Sequence, residues 1–470
     1  MARRSERPKA ENPTNTVQSS DGRTSEPNPR DARFVAEAPQ AASDYRNPGE
    51  RDRDRVLHAA AFRRLAGITQ VATSEVSISL HNRLTHVLEV AQIGRRLAQH
   101  LMRRRGGQAI ADEVGGIDPD IVEMACLAHD LGHPPFGHLA EEVLDDMARR
   151  HDVPDGFEGN AQSFRVVTKL AVRGSTSRGL NLTRAGLNAL LKYPWMRATT
   201  GKKSRKWGAY STEQKEFEWA RTLHPGSERK SAEAEIMDWA DDIAYSVHDM
   251  EDFFKAGKIP LDRLVRDRRE RKEFCRSVFK NWQQRGEHEG DNHKDYEHAF
   301  DTLLGHGTFA VDRPFNGTRS QLEKLRDLAS VLITNYADAI QLRRPKNPSD
   351  PCVIIDEGAR LEITMLKELT WQYVIRDPSL ATQQHGQRRI VQELFEMFLW
   401  ATADPARYDL LPVSSLEQFS DREAALRHGH EDRVRVVLDL IAGMSEQQAV
   451  ELHHRLQGIT PGSSLRAILL

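Results

Sequence analysis

From about residue 46 onward, apolar side chains recur every three to four positions, the period of an amphipathic helix, and the pattern runs with interruptions to the end. Val56, Leu57, Ala60, Ala61 and Leu65 share one helical face. Leu84, Val87, Leu88, Val90, Ala91, Ile93, Gly94 and Leu97 predict a buried helix that carries Arg83, His86 and Glu89 among them. Ile121 to Asp130 reads as a helix stopped by Gly132, Pro134 and Pro135. Ala232 to Phe254 is long and amphipathic, with Ile236, Trp239, Ala240, Ile243, Ala244, Val247 and Phe254 apolar. Heptad-like groups return at Leu322 to Ile340, Leu361 to Ile375, Ile390 to Leu399, Val434 to Met444 and Leu452 to Leu456. The only strand-like run is Cys352 to Ile355, and no internal repeat is present, so the fold class is all-α.

The gaps in this pattern set the organisation. Residues 1–45 are rich in Ser, Pro, Asn, Arg and Glu and poor in large apolar groups, which predicts a disordered tail. A helical core is expected over 46–260, with a polar insertion at about 197–230, and a helical C-terminal region over 261–470 packed on that core. Residues 281–318 read as polar and irregular. Lys+Arg 67 against Asp+Glu 69 leaves a net charge of -2, which excludes a global basic field of the kind that gathers nucleic acid. The three cysteines (Cys126, Cys275, Cys352) are too few and too scattered for a disulfide framework or a thiolate zinc site, which points to a reducing cytoplasm. The N-terminal stretch has positive charge without an apolar segment, so it does not read as a secretory signal, and no apolar run approaches membrane-spanning length.

Chemistry concentrates in three places. His86 lies in the helix that Arg83 opens; His129-Asp130 ends the helix at 121–130; Asp241, Tyr245 and Asp249 recur every four residues along one helix face. Singly each has an ordinary explanation: a core histidine, a chance dipeptide, an acidic solvent face, the last fitting Asp242 and Asp249 better than Asp241. Together, two imidazoles and two carboxylates (His86, His129, Asp130, Asp241) suit a divalent transition ion such as Mn²⁺ or Co²⁺, also Zn²⁺ or Fe²⁺, and Mg²⁺ less well. Such an ion would acidify water and polarise a phosphoryl group. In the loop and helix start that follow, His138 is placed for proton transfer with Glu141 three residues on to orient it, while His133 reads as a brace of the same catalytic loop.

These residues stand among further stretches: Arg51 to His58, Ala61 to Leu65, Thr69-Gln70-Val71, Arg83 to Val90, His129 to Glu141, Phe157 to Gln162, Leu180 to Thr183, Leu191 to Pro194 and Ala240 to Ser246. In this order, over roughly 46–256, with a fainter match at Asp439 to Met444, the chain resembles the dGTP triphosphohydrolase-like family of the HD-domain superfamily. The resemblance implies an HD-domain helical core and metal-dependent hydrolysis of a deoxynucleoside triphosphate, dGTP or several dNTPs, to the deoxynucleoside and inorganic triphosphate. It implies His86, His129, Asp130 and Asp241 as metal ligands and His138 with Glu141 as the catalytic pair. It further implies Arg83 as a phosphate contact, Gln70 on the sugar and base side, Tyr245 and Asp249 at the deoxyribose, Asn160 and Lys192 as pocket and triphosphate contacts, and a homo-oligomer.

Two departures stand out. After Gly443-Met444 the family commonly continues Thr-Asp and an aromatic, where this chain has Ser445-Glu446-Gln447. The 197–230 insertion carries Lys202, Lys203, Arg205, Lys206, Trp207 and Tyr210, which offer charge and stacking for single-stranded nucleic acid, although a solvated loop accounts for the same composition. Two other readings of the whole chain remain: an HD phosphohydrolase for another nucleotide, and a nucleotide- or nucleic-acid-binding regulator with little turnover.

Overall fold

The computed structural model describes residues 28–71, 80–174, 177–305, 309–412 and 429–459. Its helices in chain order are α1 (Pro48–His58), α2 (Ala60–Arg64), α3 (Arg83–Arg103), α4 (Gly107–Glu113), α5 (Pro119–Ala128), α6 (His138–Arg150), α7 (Gly159–Arg165), α8 (Arg184–Leu190) and α9 (Gln214–Arg221). They continue with α10 (Ala232–Lys255), α11 (Leu261–Arg266), α12 (Arg268–Arg285), α13 (His293–Gly305), α14 (Arg319–Asp338), α15 (Glu357–Thr370), α16 (Pro378–Thr402), α17 (His430–Ala442) and α18 (Glu446–Leu456). The all-α expectation holds.

Local sequence sets the boundaries of the helices that matter most. Asn47 and Glu50 form a capping box on α1, with Pro48 in its first turn, and Asn82 with Thr85 caps α3 the same way. Asp118 caps α5 and Ser231 caps α10. These caps satisfy amide groups that the first turn of each helix leaves unpaired.

Two apolar interiors result. The first joins α3, α5 and α10 through Val87, Val90, Ile93, Val122, Ala125, Ile236, Ala240 and Ile243, and it extends into the C-terminal half through α12 to α15. Gly94 lets α3 and α5 approach closely, since a Cβ there would lie 2.5 Å from Cys126 Sγ. The second interior packs one face of α6 (Val143, Leu144, Met147) against Phe395 and Phe398 of α16, Val437 and Ile441 of α17 and Leu452 of α18. Helices of the C-terminal half therefore take part in both interiors.

Several sequence expectations need correction. Of the expected tail, residues 1–27 lie outside the described residues, whereas 28–45 run along the body: Arg30 pairs with Glu233, Arg33 Nη1 with Asp52 at 2.7 Å, and Arg55 Nη2 with Glu37 at 2.8 Å. Charge pairing, invisible to a hydrophobicity pattern, holds this segment. Residues 281–318 include α13, whose Tyr296, Phe300 and Leu303 return at helical spacing and are buried. The Cys352 to Ile355 strand is found as Val353–Ile355, antiparallel to a strand at Ile340–Leu342, a partner assigned from sequence to a helix end. A second short pair joins residues 172–174 and 177–178.

The 197–230 segment is the largest correction. It is not a solvated loop: Trp207 and Tyr210 are buried at 1 % and 0 % exposure, and Phe217 of α9 enters the first interior. Buried rings cannot stack on nucleic-acid bases, which removes the stacking half of that reading. Among the described residues no helix is long and apolar enough to cross a membrane.

Candidate active site

The histidines and carboxylates expected to gather do so at the mouth of the first interior. α3 contributes His86, the end of α5 contributes His129 and Asp130, and α10 contributes Asp241. His86 Nε2 lies 3.1 Å from Asp241 Oδ1, and His129 Nε2 lies 3.4 Å from Asp130 Oδ1 and 3.6 Å from Asp241 Oδ1. Ligand atoms of His86, His129 and Asp130 fall within 4.8 Å of one another. Ligands about 2.1 Å from a common ion stand roughly 3 Å apart at right angles, so the donor set fits a single divalent ion.

The surroundings prepare these donors. His129 Nδ1 donates to the Cys126 carbonyl at 2.6 Å, which turns Nε2 toward the carboxylates. Burial pulls the His129 imidazole down, but the Asp130 and Asp241 carboxylates outweigh it and hold it up at about 9. Asp241 is itself held well below the usual carboxylate range, against burial, by Lys192 and His129. Lys192 Nζ reaches Asp241 Oδ2 at 2.8 Å and Asp238 Oδ1 at 2.9 Å. Arg83 donates to Asp130 Oδ2 at 2.5 Å.

His138 begins α6 immediately after Phe136 and Gly137, both at positive φ (67° and 60°), a turn that swings the helix start toward the metal set. Its Nδ1 donates to Glu141 Oε2 at 2.9 Å. His138 is well exposed, with 71 % of its side chain accessible, whereas Glu141 is buried. His133 is buried, 3.1 Å from Asp130 Oδ1 through Nδ1, and set edge-to-face against His138 with ring centres 5.3 Å apart. Burial and the nearby Arg83 charge push its imidazole down to about 4, so this ring stays neutral.

A cavity of about 420 Å³ opens over these groups. Gln70, Arg83, Asn160, Lys192 and Tyr245 line it as expected, together with the four metal-set residues, His133 and His138. Glu141 and Asp249 do not line it. Glu141 works from behind His138, and Asp249 is buried one turn beyond Tyr245, where burial and Asp252 raise its carboxyl well above the usual range. Asn160 is engaged by Glu158, its Nδ2 donating to Oε1 at 2.9 Å.

Sequence reasoning missed Lys206, which it had placed in the solvated insertion. Its ammonium lies in the cavity wall, 2.8 Å from Glu141 Oε1 and 2.9 Å from Glu158 Oε1. Burial works against the Glu141 carboxylate, yet the His138 hydrogen bond and the Lys206 charge hold it well down; burial pushes the Glu158 carboxyl up. A further miss is the far wall, where Leu380, Gln384 and Gln387 of α16 face the cavity. Spacing by three and four on one helix face was the available signal.

Residues 83–246 match the HD domain and 353–455 match the phosphohydrolase-associated domain. The chain is 37 % identical over 456 residues to the deoxyguanosinetriphosphate triphosphohydrolase-like protein of Streptomyces coelicolor, covering 93 % of this chain and 99 % of that one. Like-named proteins of Corynebacterium efficiens and Bifidobacterium longum are 36 % and 32 % identical, over 91 % and 90 % of this chain and 97 % and 85 % of theirs.

Proposed function

We propose, from the premise that this chain belongs to the deoxyguanosinetriphosphate triphosphohydrolase-like family of HD-domain hydrolases, that it cleaves deoxynucleoside triphosphates to the deoxynucleoside and inorganic triphosphate. The observation that carries the reading is one cavity lined by two chemically different kinds of group. Arg83 and Lys192, which pair with the metal set, and Lys206 suit a polyphosphate, while Val71, Tyr245, Leu380, Gln384 and Gln387 offer apolar and amide surface suited to a nucleoside. A divalent ion held by His86, His129, Asp130 and Asp241 supplies a Lewis acid for a phosphoryl oxygen and lowers the pKa of water. Mn²⁺, Co²⁺ and Mg²⁺ are the candidates, in keeping with a mixed imidazole and carboxylate set.

The protein's own groups then divide the work. Water adds to the α-phosphorus, the bond to the 5′-oxygen breaks, and that oxygen takes up a proton to leave as the deoxynucleoside. His138 is the group placed to deliver it: its Nδ1–H is fixed on Glu141, so Nε2 faces the cavity. Lys206 keeps Glu141 ionised, Arg83 and Lys192 carry phosphate charge, and the Tyr245 ring bounds the sugar. The three cysteines are free and buried, in keeping with work in a reducing cytoplasm, and a homo-oligomer is proposed as the working unit on the strength of the family resemblance; light scattering that finds a monomer refutes it.

The deciding experiment incubates purified protein with each dNTP and NTP in Mn²⁺, Co²⁺ or Mg²⁺ and identifies both products. Deoxynucleoside with triphosphate supports the reading. Orthophosphate or pyrophosphate, or binding with no product, refutes it in favour of another nucleotide hydrolase or a regulator.

A further inference from the structure

Glu446 stands where the chain departs from its family's pattern, in the first turn of α18, within the phosphohydrolase-associated region. Its side chain reaches the active-site cavity, which it helps to line. There it accepts three hydrogen bonds from two separate loops. Oε1 takes the Thr69 N–H at 2.9 Å and the Phe136 N–H at 3.2 Å, and Oε2 takes the Thr69 hydroxyl at 2.7 Å. Thr69 precedes Gln70 and bridges Asn82, next to Arg83, whose N–H binds the Ile68 carbonyl at 3.0 Å. Phe136 precedes the positive-φ turn that aims His138.

Nearby contacts make the junction tight. A Cβ on Gly67 would meet Ser445 Cβ at 2.8 Å, so only glycine lets this loop lie against the start of α18. Arg64 ties the same corner together from the other side, donating to the carbonyls of Met444 at 3.1 Å, Leu131 at 2.7 Å and His133 at 3.0 Å.

We infer that Glu446 is a positioning residue, a clasp by which the C-terminal region fixes the Gln70–Arg83 side of the cavity relative to His138. It touches neither the metal set nor the His138–Glu141 pair, so its effect is on registry. A carboxylate suits the task because both its oxygens accept, one taking the two backbone N–H groups and the other the Thr69 hydroxyl; an apolar side chain leaves all three without a partner. This inference rests on the hydrolase reading for its kinetic consequence, but its mechanical content does not.

Glu446→Ala and Glu446→Asp test it against the parent, each checked for fold by circular dichroism. Glu446→Ala, which removes all three acceptor contacts, is expected to lower kcat/KM tenfold or more at a temperature well below its melting point, with kcat and KM both affected and Mn²⁺ affinity within twofold. Glu446→Asp, which keeps the carboxylate, is expected to recover most of the loss. In parallel, hydrogen exchange of Glu446→Ala is expected to speed up at residues 68–71 and 134–138, with α17 unchanged. A kcat/KM within twofold of the parent, loss of Mn²⁺ binding, or unchanged exchange in both loops overturns the inference. If the parent releases no triphosphate, the hydrolase reading fails on its own and the exchange measurement still decides for or against the clasp.

Discussion

Replacing Lys206 by Met removes one ammonium from between two buried carboxylates and leaves the side-chain volume nearly unchanged. The Nζ contacts at 2.8 Å and 2.9 Å each correspond to about 6 kcal/mol of gross attraction at an effective dielectric of ~20. Lys206 keeps 35 % of its side chain in solvent and all three charges lose hydration on folding, so the net contribution is far smaller, about 2 kcal/mol. Its pH dependence carries the sharper signature. Without the ammonium, Glu158 and Glu141 repel each other, and the carboxyl already raised by burial moves further above its unfolded value. A group raised in the folded state favours folding below its unfolded pKa, and that advantage is lost as pH rises through the folded one. Lys206→Met is therefore expected to melt roughly 2–4 °C below the parent at pH 8 and to close most of that gap by pH 5. Its kcat is expected to fall at least ~10-fold, because Glu141 loses the anchor that keeps it aligned on His138. Differential scanning fluorimetry across pH 5–8, with initial rates at each pH, reads both. A melting difference that does not vary with pH, together with a kcat within twofold of the parent, refutes the reasoning.

Other substitutions separate the remaining roles. His129→Ala is expected to abolish Mn²⁺ binding in calorimetry together with turnover, whereas His138→Ala keeps the metal and loses ~10²–10⁴ in kcat; a near-normal kcat in the latter removes His138 from its role. Tyr245→Ala is expected to narrow the preference for deoxy over ribo substrates at least ~10-fold in the ratio of kcat/KM, and unchanged discrimination counts against the sugar-bounding ring. His81 lies 2.6 Å from Asp252 Oδ2 and 3.0 Å from Glu89 Oε1, and these hydrogen bonds hold its imidazole up at about 10. Its stabilisation is thus complete below the unfolded value near ~6.5 and lost as pH rises toward 10. His81→Asn is expected to cost about 1–2 kcal/mol in urea unfolding at pH 6 and less at pH 10; an equal cost at both is the contrary result.

Much of this site was legible in the chain because its parts sit on helices whose apolar faces announce themselves. His86, His129 and Asp241 each lie in or at the end of a strongly periodic segment, and burying those faces brings the three together in the first interior. Lys206 was hidden for the opposite reason. It lies among short 3₁₀ turns where Trp207 and Tyr210 are buried with no periodicity to mark them, so composition suggested solvent. The 28–45 segment was misjudged because ion pairs hold it, and Asp249 because sharing a helix face with Asp241 does not place a residue two turns away in the same cavity. Glu446 could be seen only as a departure from a pattern; what it grips depends on loops more than three hundred residues away in sequence.

The two interiors bear differently on the two halves of the chemistry. The metal set hangs from α3, α5 and α10 in the first, while the His138–Glu141 pair starts α6, whose buried face belongs to the second. In the proposed reaction, the spacing between His138 and the metal set is therefore a measure of how two separately packed interiors are aligned, much as the gap of a caliper reports its sliding jaw. Trimming Phe395 or Val437 would leave every catalytic atom chemically intact and yet reset that gap. Remote positions in α16 and α17 thus become a means of tuning the rate that leaves the ligand set alone.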